Sequence, residues 1–115
     1  MSVEENKNVA RRYHDLNPDD VETILTSDFI GRHTSGFTWN REQHKDFLTN
    51  QLQDSIHEQF GEGDLVATRF TRTGMYENKP MKVDAMHSKR FVDGKIAEIW
   101  EYIDSKQLEQ FEPLT

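Results

Sequence analysis

The sequence predicts an α+β fold in which one antiparallel sheet is covered on one face by helices. Two observations carry this. Up to about Gln53, apolar residues recur at three- and four-residue spacing behind helix-capping signals; from Ser55 onward the apolar period is two. The 115 residues suffice for one domain spanning 1–115, with 34% apolar and 30% charged residues favouring a large polar surface.

Ser2 and Glu5 have the spacing of a capping box and start a first helix running to about Leu16, with Val9, Tyr13 and Leu16 on its apolar stripe. Asn17 and Pro18 open a second, short helix ending near Thr26, because proline at the first helical position lacks only a hydrogen that would have no partner there. Residues 29–33 read as a short strand and 34–39 as a loop. Asn40 and Gln43 repeat the capping pattern and begin a third helix to about Gln53, with Phe47, Leu48 and Leu52 facing inward. Four strand candidates follow at 55–60, 64–76, 81–92 and 95–103, parted by turn residues at Gly61–Gly63, Glu77–Pro80 and Asp93–Gly94. A last short helix over 105–111 closes the chain.

Composition excludes several functions. A formal charge of −7 disfavours nucleic acid and anionic membranes as partners. The absence of cysteine excludes disulfides, thiol catalysis and zinc–thiolate sites. His44 and His57 are not paired at metal-ligand spacing, so no metal site is expected. No apolar run approaches membrane-spanning length and the first nine residues lack a signal-peptide core, so a cytoplasmic location is expected.

The stretch DAMHSKRFVDGKIAEIWEYID places His87, Lys89, Glu98 and Glu101 in a hairpin. With a two-residue loop at Asp93–Gly94, Trp100 lies opposite His87 and Glu101 falls on the other face. With a three-residue loop, His87 opposes Ile99 and Ala85 opposes Glu101, so His87 and Glu101 become diagonal neighbours roughly 7–8 Å apart. The second register sorts the side chains better. One face then receives Ala85, His87, Phe91, Ala97, Ile99, Glu101 and Ile103; the other receives Met86, Arg90, Ile96, Glu98, Trp100 and Tyr102. Both are too apolar to be bare. The first suits a helix-covered cavity, and the second predicts a homodimer through Met86, Arg90, Glu98, Trp100 and Tyr102. Lys89 is expected near the turn and reaching solvent, since a buried unpaired ammonium is costly.

RFVDGKIAEIWEYID resembles the terminal hairpin of the SnoaL-like polyketide cyclases, in the nuclear transport factor 2-like superfamily. ENKNVARRYHDL, SDFIGRH, NREQHKDFL and GEGDLVATRFTRTG resemble that family's segments in the same order, from Glu5 to about residue 108. The resemblance implies a cone: a strongly curved antiparallel sheet wrapped around three N-terminal helices, with a pocket at the wide end. It also implies cofactor-free intramolecular aldol chemistry, with an acid/base carboxylate on the last strand and a histidine on the strand before. Counted from DGKI, those positions are Glu101 and His87. The family residue is usually aspartate, so Glu101 sets its carboxylate one methylene deeper, and YENKPM is shorter than the mouth loop of many relatives.

A carboxylate among Ala85, Ile99 and Ile103 is desolvated and therefore a stronger base, while His87 can donate a hydrogen bond to a developing oxyanion. Tyr13, His33, Trp39 and Ile99 complete the candidate substrate-binding set. The expected function is cofactor-independent acid/base catalysis on a small hydrophobic carbonyl compound, of the cyclase or isomerase type. The contrasting class is a non-catalytic ligand-binding or dimerisation module on the same scaffold.

Overall fold

The computed structural model describes residues 2–104 together with Lys106 and Gln107. The expected closing helix therefore lies, apart from those two residues, outside the described residues. Helix α1 spans Val3–Tyr13, and Ser2 and Glu5 form the reciprocal capping box expected of them. A 3-10 turn at Pro18–Asp20 leads into the short α2, Val21–Ile24. Strand β1 is Leu25–His33, β2 is Thr38–Asn40, and α3 is Arg41–Phe47 behind the Asn40–Gln43 capping box. Strands β3 (Gln51–Glu62), β4 (Leu65–Tyr76), β5 (Lys79–Val92) and β6 (Lys95–Ile103) complete the chain.

The six strands form one sheet in the order β2-β1-β6-β5-β4-β3. It is mixed rather than wholly antiparallel: β1 runs parallel to β6, while the other pairs are antiparallel. The helices cover one face, where Ala10, Tyr13, Ile24, Leu25, Phe29, Val66, Phe91, Ile96 and Ile99 make the core.

Several boundaries differ from the expectation, including a strand, β2, where a loop was expected and longer ends to β3 and β5; three differ for a clear local reason. Helix α1 stops at Tyr13, where His14 caps it. Leu25–Asp28 extend β1 because Leu25 pairs with Ile96 on β6. Helix α3 ends at Phe47 because Gln51–Asp54 already alternate and pair with β4, Asp54 lying opposite Arg72.

The terminal hairpin uses a two-residue turn, with Asp93 and Gly94 both at positive φ and Val92 paired to Lys95. The favoured three-residue loop is thereby overturned. A bulge then shifts the register: Phe91 pairs with Ile96 but Arg90 with Glu98, leaving Ala97 over. The extra residue supplies the change of parity that the longer loop was to provide, so His87 lies directly opposite Glu101 on the covered face. Ile96, expected outside, is fully buried inside. Lys89, expected at solvent, is 0% exposed. No helix among the described residues is long and apolar enough to cross a membrane.

Candidate functional site

A sheet face covered by helices should be apolar, yet this one carries a cluster of buried charged and polar groups. Alternation along β4 turns Val66, Thr68, Phe70 and Arg72 inward, and along β5 it turns Ala85, His87, Lys89 and Phe91 inward. Glu101 arrives from β6, Asp54 from β3, Tyr13 and the cap residue His14 from the end of α1, and His44 from α3.

Arg72 organises the cluster. Its Nε and Nη2 donate to the two oxygens of Asp54 at 2.8 and 3.0 Å, and Nη1 reaches Glu101 Oε1 at 3.4 Å. Its guanidinium is held between the Phe47 and Phe70 rings, 5.2 Å from each centroid. Burial alone would raise the Asp54 pKa, but hydrogen bonds from His14 and Arg72 hold it well below the usual carboxylate range. His14 joins Asp54 through Nδ1 at 2.7 Å and Lys89 Nζ through Nε2 at 2.8 Å.

The histidines are kept neutral. Burial, with the nearby Lys89, lowers His14 to about 4, and burial, with Arg72, lowers His44 to about 4. Burial pushes His87 well below the ordinary histidine value, so its 3.3 Å approach to Glu101 Oε1 is not an ion pair. Nor is it aligned as a hydrogen bond, and neither ring nitrogen of His87 has a hydrogen-bond partner among the described residues. Tyr13 remains a neutral phenol, its pKa raised by burial and by Glu101, with its hydroxyl 3.4 Å from His44 Nδ1.

Two cavities meet at Arg72. One, of about 460 Å³, lies between the ends of α1 and α3 and the start of β3, and reaches His14 and Asp54. The other, of about 400 Å³, is walled by the rings of Phe37, Trp39, Phe47 and Tyr76 and reaches Glu101. Tyr13, His44 and Arg72 line both.

Of the residues expected from the sequence, Glu101, Tyr13 and Trp39 meet in the second cavity. His87 is 1% exposed and backs Glu101 without lining either cavity. Ile99 is core beneath the wall, because the bulge turns it inward opposite Lys89. His33 lines neither cavity; its ring packs at a tilt against Phe37 and Nδ1 accepts from the Ser35 backbone N–H at 3.0 Å. Sequence reasoning missed Arg72, Asp54, His14, His44 and Lys89 as members of the cluster. Arg72 carried a readable signal, standing two residues from Phe70 on one strand face. His14 carried another, four residues beyond Ala10 on one helix face. Among the described residues no three His, Asp or Glu side chains are grouped to hold a metal ion.

The model of the SnoaL-like polyketide cyclase family matches residues 7–110. No curated protein matches the sequence. Among solved structures, a SnoaL-like polyketide cyclase candidate from Jannaschia sp. CCS1 is similar over 100% of this chain and 96% of its own, at 16% identity and TM-score 0.80. A nuclear transport factor 2-like protein of unknown function from Burkholderia pseudomallei K96243 is similar over 96% and 98%, at 17% identity and TM-score 0.78. An LEH-like epoxide hydrolase of M. tuberculosis is similar over 94% and 89%, at 15% identity and TM-score 0.77. At these identities the structural likenesses establish the fold.

Proposed function

Because the chain belongs to the SnoaL-like polyketide cyclase family, we propose that it is a cofactor-independent acid/base enzyme acting on a small, hydrophobic, enolisable carbonyl compound. One observation carries the reading: a carboxylate, Glu101, and a fixed cation, Arg72, line the same aromatic-walled cavity 3.4 Å apart. Glu101 takes a proton from the carbon beside the carbonyl, and the electron pair moves onto the carbonyl oxygen. Arg72, rather than the sealed His87, faces that developing charge. The enolate then attacks a second carbonyl of the same molecule, closing a ring whose new alkoxide takes the proton back from Glu101, or is reprotonated by Glu101 at another carbon. His87 is a positioning residue packed behind the base. Tyr13 and Trp39 supply apolar wall, and the chemistry uses only groups of the chain.

Deuterium uptake from D2O into a 1,3-diketone such as benzoylacetone, followed by NMR, tests this. Wild-type protein should accelerate uptake and Glu101→Gln should abolish the acceleration. Equal uptake by both proteins would refute the base assignment. Binding without acceleration would favour the ligand-binding module.

We further propose that two copies pair through the outer sheet face. Met86 and Tyr102 are 43% and 52% exposed there, beside Trp100 and the Arg32–Glu98–Arg90 ion pairs. Light scattering should give a dimer mass for the wild type and a monomer mass for a Met86→Glu, Tyr102→Glu variant. A wild-type monomer overturns the pairing.

A further inference from the structure

Lys89 has no part in the chemistry above, yet it is wholly buried with its amine in an ordered row of groups. Asp54 Oδ2 lies 2.7 Å from His14 Nδ1, His14 Nε2 lies 2.8 Å from Lys89 Nζ, and Nζ donates to Thr68 Oγ1 at 3.2 Å. Carboxylate, imidazole and nucleophile in a line is the arrangement by which a base is oriented toward a group it deprotonates. Here the terminal group is an amine. Asp54 fixes the tautomer with the hydrogen on Nδ1, which leaves Nε2 as the acceptor facing Lys89.

We propose that Lys89 is an imine-forming residue that condenses with small aldehydes or ketones entering through the cavities, with His14 as its base. The Nζ lone pair forms the C–N bond at the carbonyl carbon. The two amine hydrogens pass by way of His14 to the carbonyl oxygen, which leaves as water, so that C=N replaces C=O. Lys89 lines neither cavity, and its Nζ lies over the Tyr13 ring, 5.2 Å from the centroid. Tyr13 lines both cavities and its hydroxyl is held by a long 3.4 Å bond to His44, so displacement of this ring opens the path. Burial, with Arg72 nearby, drives the Lys89 pKa well below the lysine range, although Asp54 and Glu101 oppose this, so a larger share of this amine is free than of an exposed lysine's. The other lysines are exposed or half-buried.

The full chain is incubated with propanal or benzaldehyde and sodium cyanoborohydride at about pH 6.5, where only about one in ten thousand ordinary lysine amines is unprotonated. Peptide mapping should locate one adduct per chain at Lys89, at least about tenfold above any other lysine. Glu101→Gln should keep the adduct, which separates this result from the fate of the proton-abstraction reading. Adducts confined to exposed lysines, or no adduct, overturn the proposal. The wild-type map alone decides it; folded Lys89→Met should lose the adduct.

Discussion

Acidification should unfold this protein early, through its buried histidines rather than its carboxylates. His14 and His44 both fall from an ordinary 6.5 to about 4 on folding, chiefly because burial disfavours the imidazolium. A group whose folded pKa is depressed contributes stability that is fully present above the unfolded pKa and is lost as pH falls through the folded one. The window is therefore pH 6.5 down to about 4. At about pH 5 each histidine costs about 2 kcal/mol relative to about pH 7.5, so the pair costs about 4 kcal/mol, a large share of the stability of a small domain. His87 acts in the same direction. Urea denaturation at the two pH values reads the difference directly. His44→Phe keeps a ring against Tyr13 and removes one titrating group, so its acid loss should be about 2 kcal/mol smaller than the wild type's. An acid loss below about 1 kcal/mol, or one unchanged in His44→Phe, would refute the neutral buried histidines.

Other perturbations read other parts of the cluster. Arg72→Met leaves Asp54 and Glu101 without their cation, and urea denaturation at neutral pH should show a loss of about 3–5 kcal/mol. Glu101→Gln keeps the shape and gives up only the long Arg72 contact and the misaligned His87 approach, so its urea midpoint should move by less than about 1 kcal/mol. A larger loss would make Glu101 a structural partner. A Cβ at Gly31 would stand 2.1 Å from the Trp39 ring; Gly31→Ala should cost about 1–3 kcal/mol and shift the tryptophan emission as Trp39 is displaced.

The shared face of His87 and Glu101 was legible because β5 alternates from Met81 to Phe91 and β6 from Ala97 to Glu101, with apolar neighbours marking the covered side. The bulge at Ala97 was not, since nothing in KIAEIW distinguishes an extra residue from a longer turn. Lys89 was misjudged because the cost of a buried amine was weighed with no partner. Its partners, His14 and Thr68, come from α1 and β4, 75 and 21 residues away. Asp54 was lost because the third helix was carried to about Gln53 and the next strand begun at Ser55, leaving it between the two, although the alternation that ends α3 begins at Gln51. Capping boxes, by contrast, are local, and both formed where their spacing indicated.

The most direct measurement is a crystal structure of the protein with benzoylacetone bound. The account predicts a carbonyl oxygen within about 2.7–3.2 Å of an Arg72 Nη atom, the methylene facing Glu101, and the phenyl group against Trp39. A ligand confined to the cavity beside Asp54, or one bound with Glu101 directed away from it, would contradict the claim that Glu101 is the base of this site.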